Sequence, residues 1–103
     1  MLFLDSDDVA ELVTFGDAID LVEDAYRQLG TGRATDVPRT NVTAPGLDGS
    51  LKSLSGTGPS GLGGNLYTGF PAPSGASKLV TLFDEETGEL RCAIEGDRLS
   101  WLR

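Results

Sequence analysis

The chain opens with a short apolar run followed by residues at helical spacing. Residues 2–4 are apolar and predict a short strand. The acidic segment 5–8 offers several helix N-caps, and acids are favourable in a first helical turn. Val9, Leu12 and Val13 then recur at i, i+3 and i+4, which predicts a short helix directly after the strand.

A longer helix is predicted next and has the clearest pattern in the sequence. Thr14 and Asp17 have the spacing of a capping box, and Gly30 and Gly32 are typical of a helix end. Between these signals, one apolar stripe repeats at helical spacing. Its members are Ala18, Leu21, Val22, Ala25, Tyr26 and Leu29.

After Arg33 the pattern changes to short segments separated by turns. Residues 37–43 alternate and are rich in β-branched side chains, so they predict a strand. Residues 50–55 and 66–68 predict two further strands. Between them, residues 56–64 are rich in glycine, and we expect a loop there.

The last third predicts a hairpin and the beginning of a helix. Residues 79–83 and 89–94 form two apolar runs around a tight acidic turn, in which Gly88 can adopt the left-handed conformation. Residues 95–103 have the character of a helix start. Two helices followed by a run of strands indicate an α+β fold. We expect two N-terminal helices packed on a mixed or mostly antiparallel sheet of about five to six strands.

The composition of the chain argues against several classes of partner and of functional site. The net charge of −8 argues against nucleic acid and anionic membrane surfaces as partners, because phosphate binding needs clustered cations. No stretch approaches the ~18 apolar residues of a transmembrane helix. A single cysteine, Cys92, and the absence of histidine exclude an intrachain disulfide and any histidine-based nucleophile system, and they make a zinc site unexpected. These features suit a cytoplasmic protein.

One segment matches a nucleotide-binding motif by letters alone. Gly56, Gly58 and Gly61 fit G-x-G-x-x-G, which binds dinucleotides only when a buried strand precedes it and a helix follows. Here Pro59 interrupts the motif and a strand-like segment follows. We interpret the motif as a flexible glycine loop.

Several side chains have both a structural and a chemical interpretation. Arg39 is either a surface arginine or a clamp for a carboxylate, whose two oxygens match the guanidinium fork. Arg103 invites the same two interpretations. Cys92 is most simply a small buried hydrophobe. The aromatic residues Tyr67, Phe70 and Trp101 are most simply core or interface residues.

The order of short motifs resembles the ornithine cyclodeaminase / mu-crystallin family over nearly the whole chain. The matching segments are Leu2–Asp5, Ala18-Ile19, Val22-Glu23, Gly32–Ala34, Pro38–Thr40, Leu82–Asp84, Thr87–Leu90, Leu99 and Leu102-Arg103. The resemblance implies an NAD(P)-dependent enzyme acting on amino acids or cyclic imino acids, typically a homodimer. Residues 1–103 would be its N-terminal substrate-binding and dimerisation domain, and we expect that domain to be incomplete. A nucleotide-binding domain would lie beyond Arg103.

The resemblance also assigns candidate site residues. Arg39 matches the arginine that grips the substrate carboxylate, and Arg103 matches a second substrate-site arginine. The family's site lysine corresponds to Asn65, which carries no charge and cannot donate a proton as an ammonium does. Lys78 is a rival for that position. NAD or NADP is the implied cofactor, with no binding residue in this chain.

Two interpretations of the whole chain stay open. It is either part of such an enzyme, inactive alone, or a truncated, non-catalytic binding module that keeps the fold. In both cases we expect an exposed apolar sheet edge and self-association.

Overall fold

The computed structural model describes residues 1–43, 45–46, 48–59, 61–71 and 77–102, with side chains as far as residue 99. Arg103, a candidate site residue, lies outside the described residues, as does the side chain of Trp101. The elements in chain order are β1 (Leu2–Leu4), α1 (Ser6–Leu12), α2 (Phe15–Gly30), β2 (Thr35–Asp36), β3 (Thr40–Thr43), β4 (Ser50–Gly58), β5 (Gly61–Gly69), β6 (Lys78–Phe83), β7 (Leu90–Glu95) and α3 (Asp97–Leu102).

The strands form one mixed, mostly antiparallel sheet, so the predicted α+β class is confirmed. Its order is β1-β7-β6-β5-β4-β2, and β3 also pairs with β4. Only β1 runs parallel to its neighbour, β7; the other described pairs are antiparallel. The sheet has seven strands rather than five to six, because β2 is an additional strand that precedes the segment predicted over 37–43, within which β3 forms. Pro38, which has no N–H to donate, lies between β2 and β3.

Both N-terminal helices begin at a complete capping box. The Thr14 hydroxyl accepts from the Asp17 N–H at 3.1 Å, and the Asp17 carboxylate accepts from the Thr14 N–H at 3.0 Å. Asp5 and Asp8 make the same exchange at the start of α1. The hydrogen bonds between Thr14 and Asp17 lower the pKa of the Asp17 carboxyl group. The helix starts were therefore predictable from local chemistry.

The predicted glycine loop over residues 56–64 is wrong. β4 continues to Gly58 and β5 begins at Gly61, and these two glycines pair across a tight turn at Pro59. A Cβ on Gly63 would collide with the Thr81 carbonyl oxygen, and one on Gly64 with the Leu54 carbonyl oxygen. Glycine at these positions allows neighbouring strands to lie close together, and it does not form a flexible loop.

The acidic turn between β6 and β7 is structural. The Asp84 carboxylate accepts from the backbone N–H groups of Thr87 and Glu86, both at 2.9 Å, which lowers the pKa of Asp84. Gly88 has φ of 75°, in the left-handed region expected from the sequence. The turn thus fixes the hairpin and leaves its charges in solvent.

The sheet has two unlike faces. Residues paired across neighbouring strands share a face, so the register assigns each side chain. We call the side on which Gln28 and Ala34 approach Gly58 the helix face, because α2 packs there. We call the other side the open face. It carries six large apolar side chains that are 39–64% exposed: Phe3, Val42, Leu51, Leu62, Leu66 and Leu79.

The core is small. Among the described residues, the buried apolar side chains are Val9, Ala18 and Ala93. The stripe predicted on α2 is covered only in part, since Ala18 is buried while Leu21 and Tyr26 are 62% and 72% exposed. Apolar side chains are exposed on the edge strand β1, where Leu2 and Phe3 are each 56% exposed, and also across the open face. Within the described ranges, none of the helices is long and apolar enough to cross a bilayer.

Candidate functional site

A cluster of cations surrounds one aromatic ring on the helix face. The Lys78 Nζ lies 4.7 Å from the centroid of the Tyr67 ring, and the Lys52 Nζ lies 5.7 Å from it. The Arg39 Cζ also lies 5.7 Å from that centroid. We call Arg39, Lys52, Tyr67 and Lys78 the basic cluster. Each of its cations lies within the range of a cation–π interaction.

Sheet register assembles the basic cluster from distant parts of the sequence. Tyr67 on β5 pairs with Lys52 on β4 and with Lys78 on β6, so the three side chains stand side by side on one face. Arg39 lies one residue before β3, next to β4. Lys52 is a residue that sequence analysis missed. Only the pairing of β4 with β5 reveals it, and the predicted loop over 56–64 concealed that pairing.

Asn65 lies beside the cluster with an unsatisfied polar atom. It is two residues before Tyr67 on β5 and therefore on the same face, between Leu54 on β4 and Val80 on β6. Its side-chain oxygen, Oδ1, is buried and accepts no hydrogen bond from the residues that the structure describes. A buried acceptor without a donor is uncommon and costs free energy. Asn65 is therefore a candidate acceptor for an N–H group that reaches this part of the helix face.

The charges of the cluster contrast with those of the chain as a whole. The sequence holds 16 acidic and 8 basic residues, yet its only two lysines, Lys52 and Lys78, converge here. In the described part of the chain, ion pairs form on α2, where Arg27 contacts Glu23 at 3.1 Å and Asp24 at 3.9 Å. Arg39 and Lys52 make no ion pair with a described acid. The cluster is thus suited to bind an anion.

The remaining candidates lie away from this cluster or do not add to it. Cys92 on β7 is a half-buried free thiol, rather than the buried one expected. Phe70 is 42% exposed, with its ring against the backbone of Gly49. A shallow apolar cavity of about 260 Å³ lies between α2 and the β4–β5 hairpin, with Ala25, Gln28 and Leu82 in its wall. It contains no member of the basic cluster, and apolar walls give it no means to hold a charged ligand.

The motif G-x-G-x-x-G does not form a nucleotide site. Gly56 and Gly58 lie within β4, and Gly61 begins β5, so a strand follows the motif where a dinucleotide site needs a helix N-terminus. Ser60 of the motif lies outside the described residues. The described residues therefore do not fit a dinucleotide.

Comparison with known proteins identifies the fold. No family model and no curated protein sequence matches the chain. Solved structures do match, including Δ1-pyrroline-2-carboxylate reductase of Thermococcus litoralis with NADH and L-proline, at TM-score 0.92 and 21% identity. A probable ornithine cyclodeaminase from Bordetella pertussis matches at 0.87 and 22%, and an archaeal alanine dehydrogenase dimer with NAD at 0.92 and 21%.

These matches extend over nearly all of this chain but only part of each enzyme. They cover 99%, 99% and 100% of the present chain, and 34%, 32% and 33% of the respective enzymes. The chain thus spans about a third of their length and has the fold of their N-terminal part. The resemblance to the ornithine cyclodeaminase / mu-crystallin family is confirmed at the level of the fold.

Proposed function

We propose that this chain is the substrate-binding and dimerisation part of an NAD(P)-dependent enzyme that acts on an amino acid or a cyclic imino acid. The basic cluster carries the proposal, because it gathers cations on the sheet face next to the candidate substrate residue Asn65. The similar enzymes support it, since their structures hold NADH with L-proline or NAD. Amino acids and imino acids carry a carboxylate, which is the kind of anion that the basic cluster can bind.

The residues have separate roles in this proposal. Arg39 grips the substrate carboxylate with its guanidinium fork. The Oδ1 atom of Asn65 accepts a hydrogen bond from the substrate nitrogen, which satisfies the buried acceptor. Lys78 lies on β6, two residues before Val80, which pairs with Asn65. It supplies the ammonium that Asn65 lacks. Arg103 is the second substrate-site arginine.

The nicotinamide cofactor would exchange a hydride with the substrate carbon. The described residues do not fit a dinucleotide, so the proposal assigns cofactor binding to sequence outside residues 1–103. The 103-residue chain alone should therefore bind substrate without oxidising or reducing it. The contribution of this chain is to hold the carboxylate and the nitrogen in fixed positions.

The open face provides the dimer contact in this proposal. Its six apolar side chains form a large uncovered patch on a chain whose own core is small. A second copy packed face to face would bury them as in a β-sandwich. The archaeal alanine dehydrogenase of similar fold is a dimer.

A non-catalytic binding module is the second candidate. Asn65 favours it, because an uncharged amide stands where the resembling family has a lysine. In that case the basic cluster would bind the same ligands, and no hydride transfer would follow.

Titration of the chain with L-proline, L-alanine, L-asparagine and Δ1-pyrroline-2-carboxylate, followed by NMR, tests the binding proposal. Shifts should map to Arg39, Asn65 and Tyr67, and Arg39→Met should weaken binding by about tenfold or more. Arg91→Met, which removes an exposed charge at the far end of β7, is the matched control. Equal affinity in the Arg39 variant, or no binding of any of these ligands, contradicts the proposal. Turnover of NAD(P)H by this chain contradicts the assigned place of the cofactor.

A further inference from the structure

The shallow apolar cavity beside α2 lies in line with the basic cluster. Along β5, Tyr67, Asn65 and Gly63 occupy successive alternate positions and share the helix face, so neighbouring members of this series are separated by roughly 7 Å. Gly63 is also part of the cavity wall. The cations, the amide oxygen of Asn65 and the cavity therefore follow one another along a single strand.

Glycines form the floor of this cavity. Gly58 and Gly63 line it at positions where other residues would project a side chain from the helix face. A Cβ on Gly63 would collide with the Thr81 carbonyl oxygen, so this part of the floor cannot carry a side chain. Ala25 of α2 and Leu82 of β6 stand in the walls, and the described lining residues carry no charge. The cavity is therefore suited to an apolar group.

The volume of the cavity suits one part of a ligand. At about 260 Å³ it is smaller than the roughly 300–1,000 Å³ of pockets that enclose a whole drug-sized molecule. Its walls favour apolar surface, because a polar or charged group would lose water there without regaining its hydrogen bonds. The occupant that fits is the apolar end of a ligand whose charged end lies at the basic cluster.

We infer that the substrate carries a large apolar side chain, branched or aromatic, which lies in this cavity. Arg39 holds the carboxylate, the Oδ1 atom of Asn65 accepts the N–H, and the side chain extends along β5 towards Gly63. A methyl group, as in alanine, is too short to span the roughly 7 Å between the Asn65 and Gly63 positions. This inference rests on the proposed function and specifies the side chain of its substrate.

L-phenylalanine and L-alanine differ in one phenyl group and test the inference. Calorimetric or NMR titration should show phenylalanine binding at least about tenfold tighter, because the ring loses water in the cavity. L-leucine and L-asparagine separate apolar character from size, since their side chains are equally large, and leucine should bind more tightly. Phenylalanine should also shift the backbone amide signals of Ala25 and Gly63, and alanine should not.

Substitutions in the cavity wall assign the preference to the cavity. Ala25→Leu fills it from α2 and should reduce the phenylalanine-to-alanine ratio of affinities to about threefold or less, without weakening alanine. Gly58→Ala is a second variant with a smaller effect, because its Cβ would lie 3.6 Å from the Gln28 side chain and 3.7 Å from that of Ala34. Ala10→Leu, at an exposed alanine of α1, is the matched control. A thermal melt of each variant verifies that it is folded.

The outcomes separate this inference from the function on which it rests. If phenylalanine and alanine bind equally and both depend on Arg39, the side-chain inference is overturned and the proposed function stands. If the ratio is unchanged in both cavity variants, the inference is also overturned. If none of the amino or imino acids binds, the proposed function is overturned as well. A tenfold preference for phenylalanine that Ala25→Leu abolishes and Ala10→Leu leaves intact supports the inference.

Discussion

The two faces of the sheet carry different kinds of side chain, apolar on the open face and positively charged on part of the helix face. On the open face, strands β4 to β6 present leucines such as Leu51, Leu66 and Leu79, each 40–46% exposed. On the helix face, the same strands present Lys52, Tyr67 and Lys78. Because side chains alternate along a strand, three strands can carry both an apolar contact surface and a charged site without sharing a residue between them.

The difference teaches how a domain with a small core divides its functions. In the proposed dimer, the open face would gain free energy by losing water, and it would need a large partner surface for this. In the proposed function, the helix face binds a small anion at the basic cluster. A substitution on one face should therefore leave the function of the other face intact, and this separation can be tested.

The largest expected effect is on association. Leu66→Lys places a charge at the centre of the open face, and burying that charge in a dimer without a partner is costly. We expect the dissociation constant of the dimer to rise by at least about 100-fold, which corresponds to roughly 2.7 kcal/mol. Sedimentation velocity at micromolar concentration measures it.

The matched control is Leu21→Lys, at a leucine of α2 that is 62% exposed and lies off the open face. It should leave association unchanged. A wild-type chain that sediments as a monomer, or equal effects of the two variants, contradicts the separation. Amino-acid binding should persist in the Leu66 variant, because the basic cluster lies on the opposite face.

The second effect concerns the β4–β5 hairpin, whose strands carry residues of both faces. Gly64→Ala places a methyl group against the Leu54 carbonyl oxygen and forces β4 and β5 apart. We expect a loss of about 2–4 kcal/mol in the free energy of unfolding, measured with urea. Gly30→Ala, at a position where the added carbon would meet no atom within 4 Å beyond its chain neighbours and its own helix backbone, should instead change stability by less than about 1 kcal/mol. A tolerated Gly64→Ala would show that the strands adjust freely.

The third effect sharpens the role of the helix face. Asn65→Lys restores an ammonium at the position that the family resemblance assigns to a lysine. We expect binding of a monocarboxylate such as L-proline to weaken by at least about threefold, because the change removes the acceptor for the ligand N–H and places an ammonium beside the positively charged ligand nitrogen. Asn65→Leu, which keeps the volume and removes the acceptor, should weaken it. If neither change alters the titration curve, Asn65 is not part of the site.

Local chemistry predicted one part of this fold and missed another. The start of α2 at Thr14 and the left-handed conformation of Gly88 both depend on neighbouring residues. Both were therefore predictable from the sequence. The β4–β5 hairpin depends on close approach to other strands, which glycine permits but does not encode locally. Lys52 depends on that hairpin, so it was missed. Arg39 was a candidate from its own chemistry and from the family resemblance, but neither placed it beside Lys52 and Tyr67.

The smallest expected effect lies on neither face and depends on pH. Hydrogen bonds from Thr14 lower the pKa of Asp17 in the folded chain, so the folded state favours the ionised carboxylate. The stabilisation is present above the unfolded pKa of about 3.9 and is lost as the pH falls through the lower folded value. Asp17→Asn should therefore reduce the urea midpoint slightly at pH 7 and flatten its decline below about pH 4. Asp20→Asn, in the same helix but away from the cap, is the control. Parallel pH profiles for the wild type and the Asp17 variant would show that the capping box contributes nothing to the acid sensitivity of the fold.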